Sequence, residues 1–180
     1  MEPYVTLRPS ASTDVPFITA IYAHHVLHGT ASFETEPPSI ADMQNRRADI
    51  VHRGLPYLIA ERDGAVLGYA YAGPYRPRAA YWNAVEDSVY VRPDAVGQRI
   101  GRLLLTELVA RCTGLGLRQM VAVVGDSGSV ASIRLHGSLG FRLIGVLRAV
   151  GYKHGRWLDS VLLQRALGGG DDTPPARPSA

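Results

Sequence analysis

Residues 84–105 constrain the fold of this chain more than any other stretch. They begin with the alternating segment AVEDSVYV, continue through RPDAVGQRIG with its two glycines, and enter the amphipathic segment RLLL. This pattern predicts a strand, a loop and a helix, and the first turn of such a helix presents free backbone N–H groups to an anion. Glu86 lies on the strand just before the loop. The stretch therefore predicts a phosphate-binding loop next to a candidate general base.

The composition suits one soluble domain and excludes several classes of protein. The chain has 180 residues, of which 46% are hydrophobic and 19% charged, and this is enough for a substantial core. The basic residues form no cluster with interleaved aromatics, so no nucleic-acid partner is expected. A single cysteine, Cys112, excludes an internal disulfide framework and a zinc site made of cysteines, and no metal is expected. Since there is no signal peptide and no apolar run of membrane-spanning length, we expect a cytoplasmic protein without a membrane partner.

Hydrophobic periodicity and turn residues predict the element order β-α-α-β-β-β-α-β-α-β-β. The clearest local signal is Asp63-Gly64, which separates two alternating segments and predicts a β-hairpin. The helix that begins near Ile100 stands between two strands and predicts a parallel βαβ crossover. We therefore expect one α/β domain over residues 1–167, with a mixed, mostly antiparallel sheet flanked by helices. Residues 168–180 are rich in glycine and proline and predict a disordered tail.

The loop and the helix resemble the acetyl-CoA motif of the GCN5-related N-acetyltransferase (GNAT) superfamily, and the element order fits that fold. Five segments extend the resemblance to the phosphinothricin and methionine sulfoximine N-acetyltransferase branch. They are SFETEPPS at 32–39, YAGPYRPRAAY at 71–81, VEDSVYV at 85–91, SIRLHGSLGF at 132–141 and GYKHGRWLD at 151–159. The resemblance implies direct acetyl transfer, in a ternary complex, from acetyl-CoA to the α-amine of phosphinothricin, methionine sulfoximine or methionine sulfone. It also implies a homodimer.

The resemblance further implies where acetyl-CoA binds. The cofactor-binding residues would be Val89, Val91, Val96, Gly97, Gln98, Arg99, Ile100, Gly101, Arg102 and Ser129. Gly97 and Gly101 permit close approach of the backbone to the pyrophosphate, and a free N–H of Val89 or Val91 would stabilise the oxyanion. Val96 and Arg99 depart from the family pattern, so the loop geometry stays open at this point. Ser129 stands where the family often has an asparagine that contacts the pantetheine arm.

Two catalytic residues follow from the same resemblance. Glu86 would be the general base, because the acceptor ammonium must lose a proton before the amine attacks a thioester carbonyl. Burial among valines would raise the pKa of its carboxyl group. His136 would assist proton transfer to the leaving thiolate, because an imidazole titrates near neutral pH. From the residues alone, a solvated surface glutamate and a satisfied core histidine remain open alternatives.

The resemblance also implies a substrate site. Its residues would be Phe33, Arg76, Arg78, Tyr81, Ser88 and Val123. Two neighbouring guanidinium groups suit a carboxylate and a phosphinate or sulfoximine oxygen, although arginines in a proline loop also serve as ordinary surface residues. Two other functions stay open. One is acetyl transfer to another small amine or a protein N-terminus, and the other is a non-catalytic acyl-CoA-binding sensor.

Overall fold

Seven strands form one mixed sheet in a computed structural model, which describes residues 4–175. The strands are β1 (Thr6–Pro9), β2 (Tyr57–Arg62), β3 (Ala65–Pro74), β4 (Ala84–Val91), β5 (Gln119–Gly125), β6 (Arg142–Lys153) and β7 (Arg156–Ala166). The helices are α1 (Val15–His28), α2 (Ile40–His52), α3 (Ile100–Gly114) and α4 (Val130–Ser138). These strands and helices follow one another in the predicted order, and the predicted α/β fold class is confirmed.

The strand order across the sheet is β1-β2-β3-β4-β5-β7-β6. All neighbouring strands run antiparallel except β4 and β5, which are parallel. Parallel neighbours need a crossover connection, and α3 provides it between β4 and β5. The one βαβ unit therefore lies in the middle of a largely antiparallel sheet, as the sequence predicted.

The two parallel strands pair over only part of their length. Pairing runs from Ala84 opposite Gln119 to Asp87 opposite Ala122 and ends there. On its other edge β4 stays paired with β3 as far as Val91. The sheet therefore opens between residues 88–91 of β4 and residues 123–125 of β5. We call this opening the β4–β5 cleft.

Helices cover both faces of the sheet. A core that includes Val85 packs against α3 on one face, and a core around Tyr69, with Tyr90 at its edge, packs against α1 and α2 on the other. Because side chains alternate along a strand, Asp87 follows Val85 toward the α3–α4 layer, whereas Glu86 faces the α1–α2 layer. Consecutive carboxylates thus point to opposite sides of the sheet.

The end of the described chain lies against the domain. Residues 168–172 form turns, and the Arg118 guanidinium donates a hydrogen bond to the Thr173 carbonyl oxygen at 2.6 Å. Residues 176–180 of the predicted tail lie outside the described residues, so the tail stays a prediction. Within residues 4–175, no helix combines the length and the apolar composition that crossing a membrane requires.

Candidate active site

A cavity of about 290 Å³ lies in the β4–β5 cleft. The α1–α2 connection, both strands, α4 and one residue of β7 line it. The predicted site residues among its lining are Phe33, Glu86, Ser88, Val89, Val123, Ser129 and His136. These residues lie up to about a hundred positions apart in the sequence, and the fold brings them together.

Glu86 is the candidate general base of this site. Its side chain is half-buried on the α1–α2 face and lines the cavity. Burial raises the pKa of the Glu86 carboxyl above its usual 4.5, the neighbouring charge of Asp87 raises it further, and Arg76 opposes the rise. A carboxyl group with a raised pKa accepts a proton more readily at neutral pH. The alternative of a fully solvated surface glutamate does not fit this position.

His136 is held by two hydrogen bonds. Its Nε2 lies 3.0 Å from Asp87 Oδ2, and its Nδ1 lies 2.7 Å from the Ser132 carbonyl oxygen. Both side chains of the ion pair are almost fully buried. Burial disfavours the imidazolium and so lowers the pKa of His136. The hydrogen bond to Asp87, the charge of Asp87 and the bond to the Ser132 carbonyl all oppose this effect. The net result is a raised pKa. Acceptor oxygens at both ring nitrogens favour the protonated form of the imidazole.

Asp87 is a site residue that the sequence did not predict. It lines the same cavity, and its Oδ1 is buried without a hydrogen-bond partner among residues 4–175. The sequence did contain one indication of this site: Asp87 lies in a strand between valines. Because side chains alternate along a strand, Asp87 lies on the opposite face from Glu86. Its partner His136 is 49 residues away along the chain, and no local pattern predicts that contact.

The backbone of β4 offers a donor to the cleft. Arg92 N–H bonds to the Leu67 carbonyl oxygen at 2.8 Å, so the even-numbered residues of β4 are those that exchange backbone hydrogen bonds with β3. The odd-numbered Val89 and Val91 direct their N–H groups to the other edge, where pairing with β5 has ended at Asp87. Val89 also lines the cavity. Its N–H can therefore stabilise an oxyanion that forms there.

The loop before α3 has a conformation suited to an anion. Gly97 has φ +84°, and Arg99, the residue that precedes the helix, has φ 64° and ψ 8°. This left-handed conformation is accessible to an arginine at a cost of about 1–2 kcal/mol, so the departure at Arg99 is accommodated. No side chain caps α3, and the N–H groups of its first turn stay available.

The other predicted loop residues divide between the surface and the core. Val96 is 66% exposed, whereas Ile100 is buried in the core and can contact a ligand only through its backbone. A Cβ on Gly101 would lie 3.3 Å from Leu135 of α4, so this glycine permits α3 and α4 to approach. Arg102 extends between the same two helices and donates to Ser138 Oγ at 3.0 Å.

Comparison with known proteins identifies the family. The family model described as "Acetyltransferase (GNAT) family" matches residues 19–141. The chain belongs to this family. It is 58% identical over 170 residues to a phosphinothricin N-acetyltransferase of Alcaligenes faecalis, covering 94% of this chain and 86% of that protein. It is 41% identical over 163 residues to an L-methionine sulfoximine/L-methionine sulfone acetyltransferase of Pseudomonas aeruginosa, covering 90% and 94%.

A solved structure agrees with these matches. The crystal structure of a GNAT superfamily phosphinothricin acetyltransferase from Sinorhizobium meliloti in complex with AcCoA has a TM-score of 0.92 and 50% identity, covering 96% of this chain and 93% of that chain. The predicted resemblance is confirmed, and the protein is an acyltransferase of the GNAT family.

Part of the predicted substrate site lies elsewhere in this GNAT domain. Arg76, Arg78 and Tyr81 line a second cavity of about 420 Å³ at the start of β4. There β4 and β5 are still paired, and the paired strands separate this cavity from the cleft. Arg76 is close enough for its charge to act on Glu86. The structure does not bring Arg78 and Tyr81 into the cavity that contains Glu86.

Cys112 is not placed to act as a nucleophile. Cys112 is fully buried in α3, and burial together with the charge of Asp87 raises the pKa of its thiol to about 12. A thiol with that pKa is not a nucleophile at neutral pH. Within residues 4–175, no cluster of three or more histidine, cysteine or acidic side chains is arranged to hold a metal ion.

The ion pair between Asp87 and His136 predicts a change in titration. In Asp87→Asn the burial of His136 is no longer opposed by a carboxylate, so the pKa of the imidazole should fall below its usual 6.5. In the unmutated acyltransferase the Asp87–His136 pair stabilises the fold fully below about pH 6.5. This contribution is lost as the pH rises through the raised pKa of His136. NMR titration of the His136 ring measures the shift, with Glu107→Gln, which alters an exposed pair on α3, as control. An unchanged His136 pKa would contradict the assignment.

Proposed function

We propose that this protein transfers the acetyl group of acetyl-CoA to the α-amine of phosphinothricin, methionine sulfoximine or methionine sulfone, directly in a ternary complex. One observation carries the proposal: three groups meet around the β4–β5 cleft. Glu86 would accept a proton, and the N–H of Val89 would stabilise negative charge. The open first turn of α3, where a Cβ on Gly101 would lie 3.6 Å from Val91, would bind an anion. Attack of an amine on a CoA thioester requires these three functions.

Acetyl-CoA would bind along the loop and enter the cleft. The pyrophosphate would lie on the backbone of residues 96–102, where the helix dipole favours negative charge. The pantetheine arm would pass between Val89 and Val123, and the thioester would reach the cavity. Ser129 lines this cavity, and its hydroxyl donates to the Gly125 carbonyl oxygen at 2.8 Å, which holds α4 beside the end of β5.

The reaction would proceed without a covalent enzyme intermediate. Glu86 takes a proton from the acceptor ammonium, and the amine nitrogen forms a bond to the thioester carbonyl carbon. The oxyanion that results is stabilised by the N–H of Val89. The nitrogen then releases its second proton to water, the C–S bond breaks, and the CoA thiolate takes up a proton. Glu86 returns its proton to water before the next turnover. Holding both substrates in one cleft supplies much of the rate, because the reacting atoms are already aligned.

His136 would act through Ser132 rather than directly. Both of its nitrogens are engaged, but Ser132 Oγ lies 3.4 Å from Nδ1 and lines the same cavity. Ser132 would give its hydroxyl proton to the thiolate sulfur, and His136 Nδ1–H would replace it. The imidazole would then be neutral, with Nε2–H still bonded to Asp87, and would regain a proton from water before the next turnover.

The acceptor would approach from the α1–α2 side of the sheet. Arg76 would attract its carboxylate, since the charge of Arg76 already reaches Glu86. Phe33 lines the cavity, and Ser88 would orient the amine or a water molecule. Contacts of Arg78 and Tyr81 with the acceptor stay predictions, because both residues line the second cavity and not the cleft. A cytoplasmic location stays a prediction, which cell fractionation would test.

A second copy of this chain would cover the edge of the sheet. β6 is the last strand on its side, and it carries large apolar side chains that face solvent together with one from β7. These residues, each at least half exposed, are Leu143, Ile144, Leu147, Val150, Tyr152 and Trp157. Exposed apolar patches on edge strands mark interaction surfaces. We therefore propose a homodimer that forms across β6.

An acceptor panel with acetyl-CoA tests the proposed function. We expect turnover with methionine sulfone, methionine sulfoximine and phosphinothricin, and little with polyamines, because Arg76 repels a cationic acceptor. Steady-state rates of CoA release measure this. Strong polyamine turnover without turnover of methionine sulfone would overturn the proposal. Thermal stabilisation by CoA without turnover of any amine would instead indicate a sensor.

The proposed role of Glu86 as general base predicts a loss of catalytic efficiency when its carboxylate is removed. Glu86→Gln should lower kcat/KM for methionine sulfoximine about 10²–10⁴-fold, the usual contribution of general base catalysis. In the unmutated enzyme kcat/KM should rise with pH through the raised pKa of Glu86, and this limb should disappear in the variant. Glu107→Gln serves as control. The same kcat/KM in both enzymes over the accessible pH range would rule out Glu86 as the base.

The proposed dimer surface predicts a change in molecular mass. Leu147→Asp places a charge in the centre of the apolar surface on β6 and should convert a dimer to a monomer, because a buried unpaired charge is unfavourable. Sedimentation velocity measures this, and Val51→Asp, at an exposed apolar position on α2, is the matched control. Dimers that persist in Leu147→Asp, or a monomeric unmutated protein, would contradict the proposed surface.

A further inference from the structure

A third cavity, of about 230 Å³, lies between α2 and the strands β2 and β3. It is lined by Tyr22, Met43, Arg46, Asp49, Ile50, Tyr57, Tyr69 and Tyr71, and we call it the tyrosine cavity. The ring centroids of Tyr57 and Tyr71 are 4.9 Å apart, those of Tyr57 and Tyr69 are 5.9 Å apart, and the rings are nearly parallel. Rings that pack on one another in this way form a rigid, preformed wall.

Tyr69 has an unsatisfied hydroxyl group at this wall. Its side chain is fully buried, and its hydroxyl has no hydrogen-bond partner among residues 4–175. A buried polar group without a partner destabilises a fold by about 1–3 kcal/mol. A phenylalanine would fill the same space without this loss. A ligand that pairs with this hydroxyl would explain why residue 69 is a tyrosine.

The tyrosine cavity adjoins the Glu86 side of β4. Gly73 pairs with Glu86 and Tyr71 pairs with Ser88, so all four positions share one face of the sheet. A Cβ on Gly73 would lie 3.6 Å from Ile50 Cδ1 and 4.0 Å from Tyr71 Cε2, and both residues are walls of the cavity. The missing side chain at Gly73 therefore leaves a narrow gap, bordered by Ile50 and Tyr71, next to the position of Glu86.

Tyr71 supports the same connection. Burial raises the pKa of its hydroxyl, the neighbouring Ser88 lowers it, and the charge of Glu86 raises it again. The hydroxyl thus lies within reach of the β4 residues that face the acceptor, while its ring lines the tyrosine cavity. Tyr71 stands at the boundary between the two spaces.

The charged residues of the cavity already have partners. Arg46 is 2.6 Å from Glu34, and Asp49 is 2.9 Å from Arg53. Their charges are therefore compensated, and the remaining walls are aromatic or aliphatic. Such a cavity suits a short apolar chain that carries an uncharged hydrogen-bond acceptor, and not an ammonium or carboxylate group.

We propose that the tyrosine cavity binds the side chain of methionine sulfone or methionine sulfoximine when either is the acceptor, and that the Tyr69 hydroxyl donates a hydrogen bond to the uncharged sulfone or sulfoximine oxygen. This inference rests on the proposed function, because it takes the α-amine to lie at Glu86. The side chain then passes over Gly73 and beside Tyr71 to reach Tyr69.

Tyr69→Phe tests the hydrogen bond, because it removes only the hydroxyl. We expect the affinity for methionine sulfone, measured by calorimetry in the presence of CoA, to fall about tenfold, the effect of one hydrogen bond with a buried partner. The affinity for methionine should change less than twofold, because a thioether sulfur is a poor acceptor. The KM for acetyl-CoA should not change. Tyr4→Phe, at an exposed position, is the matched control.

Gly73→Val tests the passage independently. Its side chain would fill the narrow gap next to the position of Glu86, so the KM for methionine sulfone should rise at least tenfold while the KM for acetyl-CoA stays the same. Gly73→Ala, whose Cβ fits at ordinary contact distance, is the milder control.

The outcomes separate this subsite from the proposed function. If the unmutated enzyme acetylates methionine sulfone and Tyr69→Phe binds it as well as before, or loses affinity for methionine equally, the subsite is wrong and the function stands. If the unmutated enzyme neither binds nor acetylates any amino-acid acceptor, the proposed function fails, and the subsite fails with it.

Discussion

The separation of β4 and β5 after Asp87 is the constraint on which the rest of this structure depends. Each strand keeps a partner on its outer edge, so the sheet stays intact while hydrogen-bonding groups between the two strands are released. The released N–H of Val89 lines a cavity with Glu86 and His136. A fully paired sheet would have neither the cavity nor the free donor, so the unpaired backbone is part of the site.

Glu86 and Asp87 show how one strand places two carboxylates in different roles. Glu86 is half-buried on the α1–α2 face, and burial raises its pKa. Asp87 is buried on the opposite face, and its hydrogen bond and charge act to raise the pKa of His136. Two neighbouring acids thus lie in different surroundings. The alternation of a β-strand is enough to produce this difference.

The sequence predicted local features well and long-range contacts poorly. The order of the elements follows from periodicity, and the glycine loop with Glu86 follows from residue spacing and resemblance. The bond between Asp87 and His136 joins elements 49 residues apart, and only the packing of α4 on β4 creates it. Tyr57, Tyr69 and Tyr71 look like ordinary strand residues, and their shared cavity depends on how α2 lies over the sheet. The separation of Arg78 from Glu86 likewise depends on a loop path that no pattern encodes.

The most direct test of where the two substrates bind is a crystal structure of the protein with CoA and methionine sulfone. We predict that the pantetheine thiol lies in the β4–β5 cleft near Val89. The acceptor α-amine should lie within about 3 Å of the Glu86 carboxylate or one water molecule away. We also predict that a sulfone oxygen meets the Tyr69 hydroxyl. An acceptor bound on the α3–α4 side of the sheet, or an amine out of reach of Glu86, would contradict these predictions.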